Sequence, residues 1–406
     1  MNWFFCLFFF SLAPIVQYYK DWFPWIVTRS DDILCRANKL LLLWSVSVII
    51  GIKLENYRQT HKKDHYKRQV GQWISWKGYG RLLPVLTVFN GINTVIRIVM
   101  IGASNLISRG TNIGITYFKY GSLSMLLSQF IGGIVYFTVA ISILQYRYQK
   151  KKRINNYIIL VINSVCLLIS YFPTGLARYA AAVIYLGLML TYFKDFKNNR
   201  YFILIFILAF TILLPFMNAF RNVRFLDVNI IKVFQDTINN IISGWKALDY
   251  DAYTYFTLTI EYVDRHGPGG HHLLSDLFFW VPRKIWPSKA MSGSYEIAHE
   301  LGLFDNVSFP YPSIGYMDGG MIGMVLFGVF IGWIMECMDS YYWRHIDRNN
   351  KIVHTFDIMY PVIVIFWFFL YRGDIFYTLA YLVGYLLAWC FIVWLSGVKR
   401  FVVLKG

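Results

Sequence analysis

Ten separate stretches of this chain are apolar for long enough to cross a lipid bilayer, and that repetition fixes the solvent first. They run approximately 2–19, 33–52, 82–102, 121–145, 157–173, 175–193, 201–217, 319–338, 355–371 and 375–396. A hydrocarbon core about 30 Å thick needs about 20 helical residues. Lipid leaves the backbone no partner but itself, so each run is predicted to be a helix. The expected fold is all-α: a polytopic membrane protein of about ten transmembrane helices with one large outer loop. The run 33–52 carries Arg36 and Lys39 in its first half, which must snorkel or shorten the span. The first run lacks a basic leading segment and a small-x-small cleavage site, so it reads as a retained span rather than a secretory signal.

Charge supports this assignment. Only 15% of the 406 residues are charged, against roughly 25% in soluble domains. The net charge of +17 is distributed as a topology signal rather than as a nucleic-acid surface. Alternating the spans puts 53–81, 146–156, 194–200, 339–354 and the tail from 397 on one side, with eight, five, three, three and three Lys/Arg, 22 in all. The short loops opposite carry eight, over 20–39, 103–120, Arg178 and Arg372. The positive-inside rule places the first set and both termini in the cytoplasm, where the basic runs touch anionic lipids. Three consecutive parts follow: an N-terminal bundle of about seven spans (1–217), an outer loop (218–318), and a C-terminal bundle of about three spans with a cytoplasmic tail (319–406). The five cysteines form no CxxC pair and read as small core side chains.

A loop of that length is uncommon unless it is functional or disordered, and this one has the composition of an ordered segment. It holds eleven of the 22 acids and four of the eight histidines. "GWKALDYDAYTYFTLTIEYVD" (244–264) suits a helix lying at the interface, "GPGG" (267–270) ends it, and 271–281 reads as a short helix stopping at Pro282. The cytoplasmic loops offer no P-loop and no dinucleotide fingerprint, which argues against chemistry driven directly by a nucleotide.

Arginines gather near the ends of spans assigned to the outer face: Arg97, Arg178, Arg221, Arg224 and Arg372, with Arg283 in the loop. A guanidinium fork suits phosphate oxygens, and a lipid-linked pyrophosphate would place its charge at this depth; contact with ordinary lipid phosphates is the alternative. In "FFWVPRKIWPSK" (278–289), Pro282 and Pro287 fix turns, Arg283 and Lys289 are candidate phosphate ligands, and Trp280 and Trp286 are candidate faces for sugar stacking or interface anchors. Arg372 also has Asp374 within reach as an ion-pair partner. The cluster His266, His271, His272 offers a base, a metal site or simply solvated side chains. Its spacing is not that of a metal site, so no metal or cofactor is expected. The acids of "DYD" (249–251) are expected to face water.

Several of these segments resemble the Wzy-type oligosaccharide repeat-unit polymerases of O-antigen and capsule synthesis. "VPRKIWPSK" (281–289), "HGPGGHHLLSDLFF" (266–279) before it and "PSIGYMDGGMIGMVLFGVFIG" (312–332) after it carry the likeness. "TGLARY" (174–179) looks like the family's Thr-Gly-Ser-Arg element and "YRGD" (371–374) like its Arg-Gly element. The likeness covers roughly 170–400. Lys289 is followed by Ala290 where the family has Pro, and Asp318 stands near the place of the family's turn glutamate. The resemblance implies a multi-pass protein of the bacterial cytoplasmic membrane. It would move a glycan from undecaprenyl pyrophosphate onto the sugar of a new undecaprenyl-pyrophosphate-linked repeat unit, outside the membrane. A flippase and a chain-length regulator are then its expected partners, beside membrane lipids. Arg178, Arg221, Arg224, Arg283, Lys289 and Arg372 would bind pyrophosphate, while His266, His271, His272 and Asp318 are the catalytic candidates.

Three alternatives stand beside it, of which a membrane scaffold subunit explains neither the outer arginines nor the loop. A ligase transferring finished glycan to another acceptor would use the same chemistry. A flippase or other transporter predicts two similar halves and mid-span charges, whereas the sequence shows no internal repeat and, apart from Arg97 and Glu336, keeps its charges near span ends.

Overall fold

The computed structural model describes residues 2–25, 29–61, 68–72, 76–107, 121–148, 154–193, 250–303, 307–345, 355–396 and 400–404, with isolated positions between 204 and 238. The elements in chain order are α1 (Trp3–Tyr19), then α2 (Asp31–His61), β1 (Arg68–Gln72), α3 (Trp76–Ile101), α4 (Gly121–Tyr148), α5 (Ile154–Ser170) and α6 (Arg178–Tyr192). After these come α7 (Ala252–His266), α8 (His272–Leu277), α9 (Gly293–Glu300), α10 (Tyr311–His345), α11 (Thr355–Arg372), α12 (Ile375–Leu395) and β2 (Arg400–Leu404). Among the described residues seven stretches are long and apolar enough to cross a membrane, and α1 and the segment Tyr179–Tyr192 are shorter apolar helices. These account for nine of the ten expected runs; 201–217 lies almost wholly outside the described residues.

Among the described residues one ladder interrupts the helices: β1 pairs antiparallel with β2 from Arg68↔Leu404 to Gln72↔Arg400. It joins two stretches read as lying on the same side. No strand was expected there, because five-residue segments are too short for a period to show.

Residues divide by packing into a first unit (Met1–Lys67, Ser243–Arg344, Phe366–Ala380) and a second (Arg68–Ile242, His345–Ile365, Tyr381–Gly406). Each unit draws on separate stretches of sequence, and 1–67 packs in the same unit as 243–344. In the first unit, α2 and α10 approach until backbone meets backbone. A methyl group on Gly51 would overlap the Val329 carbonyl oxygen, one on Gly332 the Val48 carbonyl oxygen, and one on Gly328 would lie 2.9 Å from Ser47 Cβ. Ser47 and Gly51 on one helix and Gly328 and Gly332 on the other form the small-xxx-small seam that lets membrane helices pack where no hydrophobic force drives them together.

Helix α7 corrects an expectation. Asp251 through Ile260 are all buried, so this is a core helix rather than one lying on a membrane surface. Tyr253 Oη donates to Asn38 Oδ1 (2.9 Å) and Tyr255 Oη to the Ser294 carbonyl (3.2 Å). At its far end Arg29 pairs with Glu261 (2.7 Å). Arg36, expected to snorkel or shorten its span, instead grips Asp264 with both terminal nitrogens (2.5 and 2.8 Å) and donates to Tyr316 Oη (2.9 Å). The loop supplies the counter-ion that lipid does not.

In the second unit, α3, α4 and α5 share a buried polar seam. Asn163 accepts from Asn90 (2.9 Å) and donates to Thr87 (2.9 Å) and Ser142 (3.3 Å), and Thr94 meets Ser170 at 2.9 Å. Arg97 sits over the Tyr171 ring, 4.4 Å from its centroid.

The α2–α10 seam makes a direct prediction. Gly332→Ala should lower the thermal unfolding midpoint in detergent, by a penalty of about 1–3 kcal/mol for overpacking. Gly91→Ala, where an added methyl meets nothing within 4 Å, should be neutral or slightly stabilising.

Candidate active site

Two glycine-rich turns build the site in the first unit. The first ends α7: Gly267, Gly269 and Gly270 have φ of 77°, 153° and 106°, conformations that favour glycine. A side chain on Gly270 would also collide with the His272 ring. The second breaks α10 at Gly319 (φ −140°) and Gly320 (φ 58°), so that the turn before the break folds back on the helix after it. Gly315 and Gly323 permit this: a methyl on the first would lie 2.8 Å from Met324 Cα, and one on the second 2.5 Å from the Gly315 carbonyl oxygen. Asp318 is carried at the tip of this fold-back. The turns are stitched by Gly269 N–H donating to the Met317 carbonyl (2.9 Å).

There Asp318 meets His272. Its Oδ1 lies 2.7 Å from His272 Nδ1 and accepts the His272 backbone N–H (2.8 Å), while Oδ2 accepts the Leu273 N–H (2.8 Å). On the other side of the ring, His272 Nε2 lies 3.0 Å from Glu296 Oε2, which also accepts from Tyr262 Oη (3.4 Å). The imidazole is 3% exposed, with Glu296 at 28% and Asp318 at 22%. Burial alone would lower the His272 pKa, but its hydrogen bonds to Asp318 and Glu296 outweigh it and raise the value to about 9. The ring is therefore an imidazolium at neutral pH, a doubly committed donor between two carboxylates.

The other expected site residues are placed differently. His266 does not touch His272; its Nε2 lies 2.9 Å from Glu300 Oε2, Arg265 pairs with the same carboxylate, and its ring packs on Tyr262 (4.5 Å). His271 is exposed, in a left-handed conformation that starts α8. Asp251, expected to face water, is buried: it accepts from Trp25 Nε1 (2.8 Å) and Ser308 Oγ, with Arg372 3.6 Å away. Arg372 therefore faces Asp251, whereas Asp374 accepts from Ser292 and Ser294 (2.5 Å for the latter). Arg178 begins α6 in the second unit, its side chain outside the described set, and Arg221 and Arg224 lie outside the described residues.

The elbow 278–289 is held by its own cations. Lys289 is buried and its Nζ donates to the carbonyls of Phe278 (2.9 Å), Phe279 (3.0 Å) and Val281 (3.2 Å). Arg283 reaches the other way, to the carbonyls of Lys289 (2.6 Å) and Ala290 (3.1 Å). Helix α8 stops at Leu277, several residues before Pro282, where this clamp begins. Both residues, read as phosphate ligands, spend these donors on backbone oxygens. Trp280 is 51% exposed, and Trp286 Nε1 donates to Ser288 Oγ (3.0 Å).

Three residues escaped the sequence reading: Glu296, Tyr262 and Asp276. Glu296 and Glu300, four apart, share a face of α9, and Tyr262 and His266 do so on α7, so helical spacing could have pointed to both pairs. Asp276 gave no signal. It is 1% exposed, neither oxygen has a hydrogen-bond partner among the described residues, and burial with the nearby Asp374 charge raises its pKa to about 9. Among the described residues no group of three His, Cys, Asp or Glu side chains is arranged to hold a metal ion. Comparison with protein families, curated proteins and solved structures finds no match.

Two predictions follow from these contacts. A raised folded pKa means that the Asp276 contribution to stability is present below about pH 4 and lost as the pH rises through about 9. Asp276→Asn keeps the group neutral, so its unfolding midpoint should gain on wild type steadily over that range. Lys289→Met strips a donor from three carbonyls. It should cost at least about 1–3 kcal/mol and open the elbow to limited proteolysis, with exposed Arg283→Ala the milder of the two.

Proposed function

We propose that this protein is a membrane glycosyltransferase of the repeat-unit polymerase kind. It joins undecaprenyl-pyrophosphate-linked oligosaccharides into a surface polysaccharide at the outer face of a bacterial cytoplasmic membrane, with both termini in the cytoplasm. The observation that carries this reading is the junction of His272 with Asp318. Two of the segments that resemble the polymerases, 266–279 and 312–332, are far apart in sequence yet share this one polar site at the loop-bearing end of a helical unit. The surrounding charge is of the kind glycosyl transfer needs. A carboxylate near the acceptor takes up a proton, and guanidinium groups offset charge growing on the departing pyrophosphate.

Within this reading the phosphate role falls to Arg372, which is 32% exposed, and to Arg178, with Arg221 and Arg224 as further candidates. Arg283 and Lys289 instead keep the elbow in shape. Trp280 presents an exposed face for a sugar ring. The donor is already activated by its pyrophosphate, so the reaction requires no nucleotide.

Deleting the chain from its host should leave surface glycan limited to single repeat units; loss of all glycan, single units included, would identify a flippase instead. Purified protein in liposomes should lengthen lipid-linked repeat units without ATP or nucleotide sugar and in the presence of EDTA. A ladder abolished by the chelator and restored by a divalent ion would require a metal-dependent reaction. Transfer only to an acceptor other than a repeat unit would indicate a ligase.

A further inference from the structure

We infer that Glu296 is the base that takes the proton from the acceptor hydroxyl, and that His272 is a positioning residue that holds Glu296 rather than the base itself; this rests on the glycan-transfer reading above. The inference comes from how completely each member of the trio is already engaged. Both nitrogens of His272 face carboxylates and its side chain is 3% exposed, so it has neither a lone pair nor an approach to offer. Asp318 uses Oδ1 for the His272 ring and its backbone N–H and Oδ2 for the Leu273 N–H. Glu296 differs: the His272 and Tyr262 contacts both converge on Oε2, and the carboxylate is 28% exposed.

Its support is rigid. Ser292 caps α9 through the Tyr295 N–H (3.4 Å), Ser292 and Ser294 are held by buried Asp374, and Ile297 and Ala298 are fully buried. Glu300, one turn on, is occupied by Arg265 and His266.

In the step assigned to Glu296, the acceptor oxygen forms a bond to the anomeric carbon of the donor glycan. The bond from that carbon to the pyrophosphate oxygen breaks, and its electron pair leaves with undecaprenyl pyrophosphate. The acceptor proton passes to the Glu296 carboxylate and then to water.

The groups that set the pH response are Asp318 from α10, Tyr262 from α7, and Asp276 from the same helix as His272, with Glu300 and Arg265 beyond. Because His272 stays charged to about pH 9, a histidine base would give a rate rising roughly tenfold per pH unit through neutrality. A Glu296 base gives no such rise through neutrality, and the rate falls above about pH 9 as His272 loses its proton and its grip.

The test is elongation of undecaprenyl-pyrophosphate-linked repeat units in liposomes from pH 5 to 10, with donor affinity and unfolding midpoint measured on each protein. Glu296→Gln should lose roughly 10²- to 10⁴-fold in rate with donor affinity and folding retained, and Glu296→Asp should recover part of it. His272→Asn removes the group that titrates at about pH 9, so the fall in rate above that pH should disappear, a change a merely structural role would not produce. Wild-type polymerisation with an undiminished Glu296→Gln rate, or a rate climbing steadily to pH 9, overturns the base assignment alone. A wild-type protein that binds this donor but makes no polymer overturns the glycan-transfer reading, and the assignment falls with it.

Discussion

Hydrocarbon neither donates nor accepts hydrogen bonds, and the polar architecture of this chain is organised around that constraint. Several charged and polar side chains in the helical units find their partners inside the protein. Arg36 takes Asp264 and Tyr316; Glu55 takes Arg58, Gln59 and Trp333; the amides of Asn90 and Asn163 take one another. Where attraction between apolar surfaces is weak, packing falls to small residues, and α2 and α10 meet along glycines close enough to bring their backbones into contact.

The loop inherits this logic although it lies beyond the spans. Helix α7 fills the first unit as a core element, and its acids are the counter-ions of Arg29 and of Arg36 in α2. The catalytic proposal depends on that solidity. An exposed carboxylate becomes a directed one when an imidazolium, a phenol and a buried turn fix its orientation, and the glycines around His272 and Asp318 let three segments of backbone converge on one ring.

Much of the scaffold was legible in the sequence because span length is a one-dimensional property. The apolar run expected from 319 begins at the break in α10, where paired glycines mark the turn. The loop was less legible, since its meaning depends on distant partners. The aromatics and threonines of 252–260 have the composition of an interfacial helix, and nothing local discloses that the unit surrounds them. Arg283 and Lys289 beside prolines and tryptophans have the signature of an anion site; the backbone carbonyls they bind leave no trace in sequence. His272 and Asp318 were both visible as candidates because their residue types carry chemistry, but Glu296 was hidden in an ordinary amphipathic turn. Asp276 offered no pattern, only a burial that no sequence rule anticipates.

The fold-back in α10 also orders the assembly of the protein in time. Synthesis delivers the 250–303 segment before Asp318, and Asp318 before Asp374. Until α10 enters and turns on Gly319 and Gly320, the His272 ring lacks one of its carboxylates; until the α11–α12 turn arrives, Ser292 and Ser294 lack theirs. The 250–303 segment is an unfinished surface that later helices complete. The complete contact set around His272 and Asp374 is thus withheld until the C-terminal helices are in place, and a chain stalled before them would carry its acids and histidines without the contacts that orient them.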